Sequence, residues 1–181
     1  MEIRIESYLS GSHLLECEPE KWDAIVILDS DIPEPEFVAE MTRSHLFLNF
    51  DDIESPAWGK RIVSSQMVKS ALRFAKKSQH LLVCCRAGQS RSSALAYTIA
   101  FENGGAELAL KVLNPERHRP NEQVLEEAKQ VCHNPGFIFN YRKWKDEKAR
   151  GSLSPYLHEI ENEAELLIDA GAVNQIDPAP Y

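Results

Sequence analysis

The chain has 181 residues, 43% of them hydrophobic and 27% charged, with a formal net charge of −8. That length and balance suit one globular domain with a sizeable core and exclude a wholly disordered or fibrous chain. The acidic excess argues against a nucleic-acid-binding surface, which needs concentrated Lys and Arg; it leaves room for a small anion site built from backbone N–H groups and one Arg.

Residues 2–9 alternate polar and apolar and predict a short strand suited to a sheet edge. The run Trp22 to Leu28 is apolar apart from Asp23 and ends at Asp29-Ser30-Asp31, the pattern of a strand buried on both faces. Pro33 and Pro35 mark a loop. His45 to Phe50 reads as a third strand, ending at Asp51-Asp52 and followed by a loop that holds Ser55-Pro56 and Gly59. Between Ile62 and Lys77 the apolar positions 63, 67, 68, 71, 72, 74 and 75 predict a helix whose polar face carries Lys69, Arg73, Lys76 and Lys77. Leu81 to Cys84 is a short buried strand, and Ser92 to Glu102 a helix stopped by Gly104-Gly105. Two more helices fit Ala106–Leu113 and Asn121–Val131. Beyond Pro135 the signal weakens: residues 141–150 are strongly charged, 155–169 suit an amphipathic helix, and the last ten read as a tail. The alternation predicts an α/β fold, a central and mostly parallel sheet flanked by helices. Residues 1–135 are expected to form the main domain and 136–181 a charged, partly helical C-terminal extension.

The four cysteines, at 17, 84, 85 and 132, include no CxxC pair, which leaves zinc and thioredoxin-type readings without support. Free thiols suit a reducing compartment, expected to be the cytoplasm. The N-terminus has no apolar stretch of signal-peptide length, and no run approaches the roughly 18 apolar residues of a membrane span. No metal or organic cofactor is implied.

The segment Cys85-Arg86-Ala87-Gly88-Gln89-Ser90-Arg91 lies between a strand and a helix. A loop of that size can curl so that successive N–H groups point inward and form an anion nest, with the following helix adding its N-terminal positive charge. Gly88 supplies backbone freedom, and the Arg91 guanidinium can meet two phosphate oxygens at once. The same field favours Cys85 as a thiolate, the form that attacks phosphorus to give a cysteinyl-phosphate. The leaving oxygen needs a proton, and Asp52 or its neighbour Asp51, at a strand end, is its source. Ser92 can donate a hydrogen bond to the sulfur, or cap the helix.

Cys85 to Ser92 resembles the signature loop of the dual-specificity branch of the cysteine-based protein tyrosine phosphatases, His-Cys-x-x-Gly-x-x-Arg-Ser/Thr. The match covers the Cys, the Gly, the Arg and the closing hydroxyl. Asp52 stands about thirty residues before the Cys, as that family's general acid does, and Arg119-Pro120-Asn121 is similar to its Pro-Asn turn. The likeness runs from about residue 22 to residue 131. It implies a phosphatase of phosphotyrosine or phosphoserine/threonine proteins, with Cys85, Arg91, Asp52 and Ser92 catalytic and Arg86, Ala87, Gly88, Gln89, Ser90 and Arg91 holding phosphate. Its partners would be phosphorylated proteins or small phosphomonoesters, with no nucleic acid and no membrane.

One position departs from the pattern: Cys84 stands where the family has His. The departure keeps open a catalytically weak or inactive phosphate-binding module, and a rhodanese-type sulfurtransferase is a more distant rival. A loop with one basic interior residue, Arg86, disfavours a phosphoinositide substrate; a small-molecule or RNA 5′-phosphate stays open. Trp58 either lines the pocket mouth or packs. Arg117-His118-Arg119 is a solvated loop or a second phosphate site, and Cys17 and Cys132 are bystanders.

Overall fold

A computed structural model describes residues 1–148 and 153–177. Residues 149–150 of the charged stretch and 178–181 of the expected tail lie outside the described residues. Four strands, β1 (Glu2–Glu6), β2 (Asp23–Leu28), β3 (Ser44–Asn49) and β4 (His80–Cys84), form one all-parallel sheet in the order β1-β4-β2-β3. Strand β4 is inserted between the sequence neighbours β1 and β2, and its last residue, Cys84, is level with Glu6 on one side and Val26 on the other. A ligand crevice in such a sheet lies beyond the C-terminal strand ends, where the order reverses.

Helices cover both faces. Ile25, Ile27, Leu81 and Val83 point toward α3 (Ser65–Ala75), α4 (Arg91–Lys111), α5 (Glu122–Cys132) and α6 (Gly136–Lys148). Ala24, Val26, Leu28, Leu82 and Cys84 point the other way, toward α1 (Tyr8–Cys17) and α2 (Glu36–Met41). A last helix, α7 (Leu153–Asp169), packs on α1. Burial on both faces is why β2 and β4 read as unbroken apolar runs.

The structure departs from the sequence reading in four places. The first strand stops at Glu6, because Ser7 caps a helix: its Oγ accepts from Ser10 N, and Ser10 Oγ accepts from Ser7 N, both at 3.0 Å. That helix seats tightly on β4, since a Cβ at Gly11 would lie 2.6 Å from Cys84 Sγ. A short helix, α2, begins directly after Pro35. Residues 136–148 form α6, whose Phe137, Tyr141 and Trp144 are buried, with Phe137 and Tyr141 packing on Tyr97; Tyr97 Oη donates to the Phe137 carbonyl at 2.8 Å. Residues 172–177 of the expected tail fold back as a strap with Ala172 and Ile176 buried, Ile176 lying against the α1 face of the sheet. The expected break at Gly104-Gly105 is present as a kink inside α4, where Gly105 has φ +71°. Among the described residues no helix is long and apolar enough to cross a membrane.

Candidate active site

The site begins where β4 ends. Consecutive strand residues point to opposite faces, so Cys84 joins Tyr8, Leu15 and Trp22 while Cys85 faces the side of Val83, Ala94 and Leu95. The two thiols diverge, and all four cysteines are free. Burial pushes the Cys84 thiol well up, aided by the charges of Glu6 and Cys85, so it stays protonated.

Gly88 has φ +68°, and a Cβ there would lie 2.6 Å from Ser7 N, so this turn accepts only glycine. The loop is braced from two sides. On the β1–α1 side, Cys85 N donates to Glu6 O at 3.4 Å and Tyr8 N to Arg86 O at 3.3 Å. On the other, Arg119 N donates to Gln89 O at 3.1 Å and Asn121 N to Ser90 O at 3.2 Å. The Ser93 hydroxyl donates to both of those last carbonyls. Loop carbonyls are thus taken up by neighbouring segments. Among the described residues, no protein group accepts from the amides of Arg86, Ala87, Gln89 or Ser90.

Cys85, Arg91 and Ser92 are all buried, and Cys85 Sγ lies 3.0 Å from Ser92 Oγ. Arg91 Nη1 donates to Phe50 O at 2.8 Å and pairs with Asp29 Oδ1. Burial works against its charge, but Cys85, Asp29, Tyr8 and Asp52 outweigh burial and hold it protonated. Its Nε is buried and, among the described residues, has no hydrogen-bond partner; Asp52 Oδ2 is 4.0 Å away.

The two adjacent aspartates have different surroundings. Asp51 is buried, and burial alone would raise its carboxyl. Hydrogen bonds from Ser30, from Arg61 N at 2.7 Å and from Lys60 Nζ at 3.0 Å outweigh burial and hold it well below the usual carboxylate range. Asp52 is 41% exposed, and its Oδ1 accepts from Ser90 Oγ and Asn121 Nδ2, both at 2.8 Å. Asn121 also caps α5, its Oδ1 accepting from Val124 N at 3.0 Å. Cys85, Arg86, Arg91, Asp29, Asp52 and Lys60 share one open cavity of about 260 Å³.

The other flagged residues fall outside this centre. Trp58 is fully exposed and is neither packed nor part of the cavity lining. Arg117-His118-Arg119 is a brace: His118 is buried, its Nδ1 accepting from Asn114 N at 2.9 Å, Arg117 pairs with Glu163, and Arg119 Nη1 donates to Pro115 O at 2.7 Å. Cys17 is exposed, and burial pushes the Cys132 thiol up to about 12. Three participants escaped the sequence reading. Asp29 was legible only as a strand terminator; Lys60 and Asp177 carry no local signal at all. Arg86 Nε pairs with Asp29 at 3.1 Å and its Nη2 with Asp177 at 3.2 Å. Among the described residues there is no cluster of three or more His, Cys, Asp or Glu side chains able to hold a metal.

No family model matches the sequence, and no curated protein matches it significantly. Solved structures do. The chain is similar to PTPMT1, solved in complex with PI(5)P, with a TM-score of 0.54 and 14% identity over 77% of this chain and 94% of that one. DUSP15 matches with a TM-score of 0.43 and 16% identity over 91% and 90% of the two chains. The Yvh1 phosphatase domain from Chaetomium thermophilum matches with a TM-score of 0.40 and 17% identity over 83% and 92%. The likeness to PTPMT1, together with the four-stranded parallel sheet between two helical layers, establishes the fold: an α/β domain of the protein tyrosine phosphatase type.

Proposed function

We propose that the chain hydrolyses phosphate monoesters through a cysteinyl-phosphate intermediate. The observation that carries the reading is the buried Arg91 Nε, which among the described residues has no partner, next to four loop amides that there have no acceptor and a buried cysteine. A buried unsatisfied donor such as Arg91 Nε costs about 1–3 kcal/mol, and a phosphate group, with several acceptor oxygens, is a ligand that could serve it and the loop amides together.

In the first step the Cys85 thiolate attacks phosphorus and the bond to the leaving oxygen breaks. Asp52, at the exposed rim, gives that oxygen its proton. In the second step water attacks the phosphocysteine, its proton passes to Asp52, and the sulfur leaves while accepting a hydrogen bond from Ser92. Charge on the equatorial oxygens is met by the loop amides and Arg91. Asp51 is unsuited to the acid role, because its hydrogen-bond partners keep it ionised. The open cavity suits phosphotyrosine, phosphoserine and phosphothreonine side chains better than a deep slot for one of them. Free thiols fit a reducing compartment such as the cytoplasm.

The test is hydrolysis of p-nitrophenyl phosphate between pH 5 and 8 under reducing conditions, by the wild type and by Cys85→Ser. Turnover by the wild type alone is expected. An inactive wild type that still binds phosphopeptide would replace this reading with that of a phosphate-binding module.

A further inference from the structure

The strap that follows α7 reaches the edge of the site. Asn174 Oδ1 accepts from Ile176 N at 3.2 Å and from Asp177 N at 3.1 Å, which fixes a turn. Gln175 N donates to Ser12 Oγ at 3.0 Å, Ser12 being fully buried in α1, and Ile176 is buried beside Tyr8 and Leu15. Helix α1 also holds the phosphate loop, through Tyr8 N and the Arg86 carbonyl. One helix therefore sets both partners of the contact between Asp177 and Arg86.

Arg86 is the one basic residue between Cys85 and Arg91, and its side chain is 47% exposed at the cavity wall. A guanidinium in that position would receive a second anionic group of a substrate. Here it already serves two carboxylates, Asp29 and Asp177. The cavity lining itself is balanced, with Lys60, Arg86 and Arg91 against Asp29, Asp51 and Asp52. Asp177 adds a fourth carboxylate, which tips the entrance negative.

We propose that Asp177 is a specificity-determining residue: by occupying Arg86 from the strap, it sets the site toward phosphomonoesters with no second anionic group beside the scissile phosphate. This rests on the phosphatase reading above. Removing the carboxylate frees Arg86 Nη2 for a substrate's flanking charge, with Nε still held by Asp29.

The test measures calorimetric binding of two phosphotyrosine peptides, one flanked by alanines and one by glutamates, to the Cys85→Ser protein at low salt. Adding Asp177→Asn is expected to raise affinity for the glutamate-flanked peptide about three- to five-fold relative to the other, the scale of a partly exposed ion pair. The gain should shrink as salt rises, vanish in an Arg86→Gln background, and be reversed by Asp177→Glu. An unchanged ratio between the peptides overturns the inference while leaving the phosphatase reading intact, as does equal weakening of both, which marks a purely structural contact. Failure of both peptides to bind the Cys85→Ser protein, with Asp177 intact and with Asp177→Asn, removes the phosphatase reading and this inference with it.

Discussion

The Cys85–Arg91 loop and the aspartate loop face each other across one cavity and are built in different ways. Residues 85–91 form one contiguous stretch, locked by backbone contacts on two sides and by a glycine that nothing else can replace. The segment from Phe50 to Arg61 adds a side chain to its backbone contacts: Asp51 N donates to Arg61 O at 2.8 Å, and the Asp51 carboxylate gathers Ser30, Lys60 and Arg61 and so pins its own loop. Identical residues one position apart thus divide the work. Asp51 is a buried counter-ion, and Asp52 stands at the rim, within 4.0 Å of Arg91. The difference teaches that a carboxyl is available for proton transfer when it is left partly in solvent, and becomes architecture when donors surround it.

The sharpest way to break this contrast is to exchange each carboxyl for its amide. Asp52→Asn is expected to lower kcat for p-nitrophenyl phosphate about 10²- to 10⁴-fold, with little loss of stability. Asp51→Asn should leave kcat within roughly ten-fold but lower the urea midpoint, because Lys60 and the Arg61 amide lose an ionised acceptor. The reverse pattern would reassign the acid. Ser92→Ala should slow breakdown of the phosphoenzyme about ten- to a hundred-fold, the worth of one hydrogen bond to a charged group, and so expose a burst of p-nitrophenol. Equal slowing of burst and steady state would deny Ser92 that step. Gly88→Ala combines a left-handed backbone with a 2.6 Å contact to Ser7 N, and is expected to destabilise by about 2 kcal/mol in urea denaturation with loss of turnover.

The smallest effects concern pH, and they separate the two braces. Burial, then the charges of Arg117 and Arg119, push the His118 imidazole down to about 4. Its neutral form is the one that accepts from Asn114 N. The stability it contributes is fully present above the ordinary histidine value of about 6.5 and drains away as pH falls from there toward 4. Asp51 is also depressed, so its contribution is present above about 3.9 and is lost only below that, as pH falls toward its lowered native value. Urea midpoints of the wild type and His118→Gln should therefore converge between pH 7 and pH 5, while those of the wild type and Asp51→Asn should stay apart until more acidic conditions. Parallel curves across the upper window would deny His118 its role.

By itself the sequence determined the buried strands β2 and β4, helices α3, α4 and α5 with starts within about three residues of those observed, and the Cys85–Arg91 loop between β4 and α4. Each of these is a local signal, either an apolar run, a 3.6-residue period or a short motif whose geometry follows from its own residues. It also narrowed the proposed acid to Asp51 or Asp52. Only tertiary structure gives the two different surroundings, because the donors at Ser30, Lys60 and Arg61 reach Asp51 through folding. Helix α1 was hidden because its Ser-rich start and Gly11 are poor helix formers in isolation, and they are required by capping and by close approach to Cys84. The pairing of Asp29 with Arg91 and of Asp177 with Arg86 joins residues 62 and 91 positions apart. No pattern in a single chain announces such contacts, since they exist only where the sheet order and the packing of α1 bring distant segments together.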